Sequence, residues 1–351
     1  VLEGKITVHS KYYQDSVDKL REIFNRLTLI MEGEAAIRFI DLVVFSICLP
    51  LWDSDGDGYI TEDEALAIKM FPSNSFSGKS DITSLDDLAK LAGYMFNGAF
   101  SNMPMLKTAH TGKRYSGSSL VTSTIYQGYI NCTALERITI DESIKSIERM
   151  CFYNCSSLKQ VIWNGNETAI GNSAFYGCTS LEEISFPPGI TSLESNEIFF
   201  NCTSLKDIQL SQMTAIGYRC FCNCTNLKID VNIPLLETTS SQVFASSGVI
   251  SASNLGKLQT ISVSMFSNCA NLIYAIIPDT VMVIEQDVFY KCSALQYVVC
   301  NALTPPTLNS TSVFGGTSCL IYVPDGSVDA YKAATNWASF STRIKSISEK
   351  E

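Results

Sequence analysis

Histidine is nearly missing from this chain of 351 residues: only two, His9 and His110, are present. Neither stands near a nucleophile motif, and no G-x-S-x-G, H-E-x-x-H or phosphate-loop pattern occurs. Acidic neighbours such as Glu182 and Glu183 point opposite ways in a strand, so they make poor acid–base couples. The pieces of an enzyme are absent, and a non-enzymatic role is expected. Long apolar runs are missing too. The most apolar stretch, Ile37 to Trp52, is interrupted by Arg38 and Asp41, which speaks against a transmembrane segment. Basic charge is also short: 25 Lys and Arg stand against 35 Asp and Glu, a formal net charge of −10, with no basic cluster. That balance argues against nucleic acid as a partner. No signal peptide opens the chain at Val1, so any export signal is expected to have been removed.

What the chain does have is rhythm. The phrase F-x-x-C-x-x-L-x-x-[IV] is clearest from Phe152 through Cys155 and Leu158 to Val161, and it returns from Phe175, Phe199, Phe221, Phe266 and Phe289. Its Cys slot falls at 132, 155, 178, 202, 224, 247, 269 and 292, with Ser247 standing in once, so the steps are 22 to 24 residues. Ile147, Ile170, Leu193, Ile216, Thr239, Ile261 and Ile284 keep the same period. A fixed period of this length with leucine at L-x-x-I spacing predicts an α/β repeat fold, a leucine-rich-repeat solenoid of about 23-residue coils with parallel strands. Seven of the thirteen cysteines occupy the repeat slot, and no zinc-type spacing appears, so these seven are read as an interior row of free thiols.

The first 92 residues are expected to form an all-α, EF-hand-like N-terminal cap, 93–302 the solenoid and 303–351 a C-terminal cap. One helix is predicted around Val17–Met31 and a second from about Glu34 to Leu49. Asp53-Ser54-Asp55-Gly56-Asp57-Gly58-Tyr59-Ile60-Thr61-Glu62-Asp63-Glu64 then fills the twelve-residue calcium-loop template. A hard divalent cation wants six to eight oxygens, and alternate residues of a tight loop point inward to supply them. Asp53, Asp55 and Asp57 would offer carboxylates, Tyr59 its carbonyl, Thr61 the next position, and Glu64 a closing pair of oxygens. Calcium is thus the expected cofactor. Thr61 and Glu64 also have capping-box spacing for a helix running from Glu62 to about Met70. Ser84 and Asp87 repeat that spacing, so 78–92 is read as a degenerate, ion-free half-hand with Ile82 paired to Ile60. The first repeat copy starts at Phe96, with Met103 in the Cys slot, and a polar insertion follows near His110–Ser119. Past Pro305-Pro306, a short helix from Val328 to about Ala338 and a strand over Arg343–Ile347 are expected.

Along each strand, alternate residues face in and out. The outward pairs run from Arg137 and Thr139, through Glu183 and Ser185, to Tyr274 and Ile276, then Tyr297 and Val299. The outer face therefore turns from charged to aromatic and apolar. Those last four residues are the candidate partner face; alternatively, they merely suit β-structure or lie under the cap. A bulge is expected near Asp230, where the inward pattern slips.

On these residues the chain resembles the BspA-like leucine-rich-repeat family of bacterial surface proteins. The resemblance is carried by repeats such as Cys269-Ala270-Asn271-Leu272 through Ile277-Pro278-Asp279 to Phe289-Tyr290-Lys291-Cys292, and by the closing Tyr322-Val323-Pro324-Asp325-Gly326. It implies a protein at the cell surface or outside the cell, adhering to host matrix or other cell-surface proteins; a monomer is expected. A glycan-binding accessory protein of a carbohydrate-uptake system, with tyrosines stacking on sugars, is the alternative.

Overall fold

A computed structural model describes residues 36–67, 69–72, 75–91, 93–94, 99–111, 124–125, 128–165 and 169–350. The helix expected over Val17–Met31 and the insertion at 112–119 lie outside these residues.

Each coil follows one route, shown by residues 202–224. Leu205 N–H bonds back to the Cys202 carbonyl (3.1 Å) and turns the chain into the strand Asp207–Ile208. A turn closed by Met213 N–H on the Leu210 carbonyl (3.0 Å) leads to a second short strand, Ala215–Ile216. The return to the next Cys needs two left-handed residues, Arg219 (φ 53°) and Asn223 (φ 62°). The second of these sits just before the Cys slot in coil after coil, as Asn131, Asn154, Gly177, Asn201, Asn223 and Asn268. Asn and Gly take that conformation at least cost, which explains why the repeat reads F-x-N-C. At these bends backbone N–H groups point at the following coil, as Phe221 to the Val243 carbonyl (2.8 Å) and Asn223 to that of Ala245 (3.0 Å).

Two interior rows tie the coils together. All thirteen cysteines are free and buried. Those of the slot donate their thiols to the carbonyl of the repeat aromatic residue in the preceding coil: Cys178 to Phe152 and Cys202 to Phe175 at 3.2 Å, Cys224 to Phe199 at 3.1 Å, Cys292 to Phe266 at 3.0 Å. A weak S–H donor suits these carbonyls, because each already accepts its own coil's Cys N–H, as Phe152 does from Cys155 at 3.2 Å. Beside them run Phe100, Tyr129, Phe152, Phe175, Phe199, Phe221, Phe244, Phe266, Phe289 and Phe314, each ring stacked on the next at 5.2 to 5.8 Å. Trp52 and Phe71 extend this column at one end and Trp337 at the other.

The strands pair in parallel from coil to coil, as the period predicts. On one face they form sheets of four (Ser84–Leu85 to Gln160–Trp163), two (Glu183–Ile184 with Asp207–Ile208) and six strands (Asp230–Asn232 to Ile344–Ser346). The second short strands form three-stranded sheets on another face. The expected slip is found: Asp230–Asn232 opposes the longer Ser251–Asn254, and the register shifts between Asp230 and Asn232.

Several expectations about the N-terminal region need correcting. The second helix spans Leu42–Trp52 rather than 34–49: Asp41 caps it through the N–H groups of Val43 and Val44, and Pro50 sits in the last turn, costing only one internal bond. The helix after the loop stops at Leu66, and Lys69–Met70 is a strand parallel to Gly93–Tyr94. Residues 78–92 do not form a half-hand. Ser84–Leu85 pairs with Thr108–Ala109 as part of the solenoid sheet, Ser84 Oγ accepts from Asp86 N–H instead of making a capping box, and Asp86–Lys90 is a 3-10 turn. The Ile60 carbonyl accepts Ile37 N–H at 2.8 Å, beside an antiparallel bridge from Ala36 to Thr61. The described residues before 93 are therefore not all helical, and strand pairing crosses the boundary drawn at 92. At the far end the helix covers only Val328–Ala333, a 3-10 segment Trp337–Arg343 follows, and Ile344–Ser346 joins the six-stranded sheet.

Candidate functional site

The loop at 53–64 connects the helix Leu42–Trp52 to the helix Glu62–Leu66. Gly56 (φ 80°) and Gly58 (φ 93°) make its two tight bends. Carboxylate oxygens of Asp53, Asp55 and Asp57 converge within 4.8 Å of one another. Each is oriented by the loop's own backbone: Asp53 accepts Gly56 N–H (2.7 Å) and Gly58 N–H (3.0 Å), Asp55 accepts Asp57 N–H (3.2 Å), and Asp57 accepts Tyr59 N–H (3.1 Å). For Asp55, that Asp57 N–H pulls the pKa down, but desolvation and the carboxylates of Asp57, Glu64 and Asp53 outweigh it and hold the pKa above its usual value. Such crowding of like charge is relieved by a cation. Glu64 lies outside the convergent trio. One of its oxygens takes Ser54 N–H and Oγ (2.6 and 2.7 Å), the other Thr61 N–H and Oγ1 (both 3.0 Å). Hydrogen bonds from Thr61 N–H and Ser54 N–H hold its pKa at about 2. Tyr59 is buried, and Thr61 caps the following helix.

On the strand face, Tyr274 and Tyr297 are half-buried neighbours with rings stacked at 5.4 Å. Tyr322 meets Tyr297 edge-on at 6.0 Å, and Lys350 Nζ lies 4.1 Å from the centre of the Tyr297 ring. The closing segment thus covers part of this face. Ile276 is half-buried, but Val299 is only 7% exposed, set between Ile276 and the equally covered Tyr322. It shares the side of Ile276 but is covered, and so adds no exposed surface. The residues in fact exposed there include three the alternation rule passed over: Ile250, Ile273 and Leu320, at 36, 41 and 39%. A signal for two of them was present. Earlier coils carry Glu136, Lys159, Glu182 and Lys206 just after the repeat leucine, where ion pairs Lys159–Glu136 (3.6 Å) and Lys206–Glu182 (2.6 Å) form; Ile250 and Ile273 fill that position later.

A second aromatic row lies outside the core: Tyr153, Tyr176 and Phe200 stack at 4.7 and 4.8 Å, with Arg219 over Phe200 at 5.2 Å. In both rows the rings turn their faces to each other. His110 is buried, with Nε2 3.9 Å from Asp141. No helix among the described residues is long and apolar enough to cross a membrane.

The pattern of the BspA type leucine rich repeat region matches residues 95–228 and 195–296, in six copies, which together cover more than half of the chain. Among solved structures, a leucine-rich repeat protein from Bacteroides ovatus is 20% identical, covering 73% of this chain and 88% of its own, with a TM-score of 0.38. A leucine rich cell surface protein from Faecalibacterium prausnitzii is 15% identical over 78% of this chain and 94% of its own, with a TM-score of 0.34. A leucine-rich repeat protein of T. pallidum is 17% identical over 55% and 73%, with a TM-score of 0.33. No curated protein matches the chain.

Proposed function

The chain belongs to the BspA-type leucine-rich-repeat family, and on that premise we propose that it is a non-enzymatic recognition protein, displayed at the cell surface or secreted. It binds a protein partner through the strand face of its C-terminal coils. The observation that carries this reading is an apolar group on and just before neighbouring strands, in which Ile250, Ile273 and Leu320 are exposed and Tyr274, Ile276 and Tyr297 half-buried. Apolar and aromatic side chains gathered on a rigid sheet, with charged rows beside them, are the composition of a protein-binding hot spot and its rim.

The ring geometry favours a protein over a glycan. A sugar stacks on an open aromatic face, whereas Tyr274 and Tyr297 give a face each to the other and Lys350 lies over Tyr297. Edges and hydroxyls are left for contact, and these suit a protein surface. Host matrix proteins and the surface proteins of other cells are the partner classes that the family reading implies.

The loop at 53–64 would hold a structural calcium ion. Asp53, Asp55 and Asp57 already converge, Tyr59 and Thr61 stand at the following ligand positions, and Glu64 would supply the closing oxygens it now shares between Ser54 and Thr61. When bound, the ion would neutralise the crowded carboxylates and stiffen the loop.

The test is binding of the intact chain, in calcium, to immobilised matrix proteins and to a glycan array. We expect a protein hit weakened at least tenfold by Ile273→Asp or Tyr274→Ala. A hit indifferent to both changes would sink the proposed face, and binding to glycans alone would replace the protein reading.

A further inference from the structure

Asp86 and Asp87 are adjacent in the 3-10 turn Asp86–Lys90, and their carboxylates serve different parts of the molecule. Asp86 Oδ2 accepts Thr108 Oγ1 at 2.7 Å and Arg137 Nη2 at 3.0 Å, and so grips the next two strands of the leading sheet. Asp87 is 2% exposed. Its Oδ2 accepts the backbone N–H groups of Ile40 (2.7 Å) and Asp41 (3.0 Å), and its Oδ1 takes Lys90 Nζ (2.7 Å). Lys90 Nζ also donates to the Arg38 carbonyl.

The segment held in this way, residues 38–41, is joined at both ends to the loop at 53–64. Just upstream of it, Ile37 N–H bonds the Ile60 carbonyl at 2.8 Å, and Ala36 bridges Thr61. Downstream, Asp41 caps the helix whose last residue, the fully buried Trp52, immediately precedes Asp53. Trp52 packs on Phe71 at 4.9 Å, and Phe71 meets Phe100, the first ring of the stacked column, at 6.0 Å. Both attachments of the loop therefore end on the leading coils. Apolar packing alone would bring these parts together without setting their register. A buried carboxylate with two N–H donors and an ammonium does set it, because breaking any one bond leaves a charge under-satisfied.

We propose that the Asp86–Asp87 pair is a coupling element through which a divalent cation in the 53–64 loop stabilises the leading strands of the solenoid, Ser84–Leu85, Thr108–His110 and Arg137–Ile140. This rests on the calcium reading above. A cation that binds only the ordered loop stabilises whatever must be ordered with it. In a repeat array each coil depends on its neighbours, so the effect is greatest at Asp87 and fades along the chain.

Hydrogen exchange of the full chain, read by mass spectrometry in calcium chloride and in EGTA, tests this, with calcium binding measured separately by titration calorimetry. In calcium, exchange over 84–110 and 129–140 should slow, by up to about 100-fold at free calcium a hundred times Kd. Residues 258–300 should not change. Asp87→Asn keeps an acceptor oxygen but loses the charge. It should still bind calcium, its leading coils should exchange faster than wild type in EGTA, and calcium should no longer slow them. If wild type binds calcium and its leading coils exchange equally in both buffers, the coupling is overturned. If calorimetry shows no binding, the calcium reading fails and the transmission with it, while Asp87→Asn in EGTA alone judges the clamp: wild-type exchange there would sink it. Asp86→Asn, on the half-exposed side, provides the same comparison at Thr108–Ile140 should Asp87→Asn fail to fold.

Discussion

Replacing Phe199 by alanine probes the stacked column at its centre. The ring is fully buried, 5.3 Å from Phe175 and 5.6 Å from Phe221, tilted from the two by only 4° and 2°, with Phe186 against it at 6.0 Å. Deleting a buried phenyl group costs about 3–5 kcal/mol, the higher figures belonging to sites that cannot collapse. This site is of that kind. Phe199 N–H is fixed to the Cys220 carbonyl at 2.9 Å, and Phe175 N–H to the Ile198 carbonyl at 2.9 Å, so neighbouring coils cannot close the gap without breaking backbone bonds. The two stacked ring contacts, worth about 0.5–1.5 kcal/mol each within that figure, place the site at its upper end. The expected loss is about 5 kcal/mol, a large share of the roughly 5–15 kcal/mol of a folded domain. Urea unfolding followed by far-ultraviolet circular dichroism should show either a much lower midpoint or an early separate transition. Phe199→Leu, which keeps most of the volume, should cost under about 2 kcal/mol. A loss below about 2 kcal/mol for Phe199→Ala would refute the reasoning, because it would mean the coils do adjust.

Four further outcomes are expected. No thiol should react with a thiol reagent in the native chain and all thirteen should after denaturation, since burial raises the thiol pKa values, Cys132 and Cys269 to about 12. The melting temperature should be higher in calcium than in chelator, by the equivalent of about 2.7 kcal/mol at a hundred times Kd, and Glu64→Gln should abolish most of the difference; identical melts would refute the site. Tyr331→Phe should cost about 1–3 kcal/mol in denaturant, because the Tyr331 hydroxyl is the donor to the buried Ala302 carbonyl at 2.8 Å. The closing turn should loosen in acid. Hydrogen bonds from Ser346 and Ser348 lower the Asp325 pKa, and Ser346 N–H with Lys345 lowers that of Glu349. Their contribution is complete above the ordinary carboxylate pKa near 4 and is lost as pH falls through the lower folded values, so the protection of 344–350, measured against intrinsic exchange rates at each pH, should fall from pH 5 to 3, and Ser346→Ala should remove the part due to the Ser346 hydroxyl on Asp325.

The repeat was legible because a solenoid writes the same contacts at a fixed spacing, so Cys178, Phe175 and Leu181 each announce their place many times over. The slip at Asp230 was legible for the same reason, as a break in an established pattern. The leading coil was not. Ser84 and Asp87 carry a local helix-start signal, yet Ser84 is claimed by Thr108 of the next strand and Asp87 by the distant Ile40 and Asp41. Short-range spacing holds no trace of either partner. The strand face was legible only in its alternation. Alternation points Tyr274, Ile276, Tyr297 and Val299 outward, but it has no way to see that Val299 is covered, or that Ile250 and Ile273 stand clear at the strand's entry.

The row of thiols carries a consequence for the order of events in the protein's life. The sulfur atoms are sheltered only once the coils have stacked, each against the carbonyl of the coil before it. An unfolded chain presents all thirteen at once, and a cross-link between distant slots would bar the coils between them from closing. Stacking therefore has to outrun oxidation. The redox state of a purified sample is a record of that race: molecules that stacked first keep thirteen free thiols, and those that met an oxidant first do not.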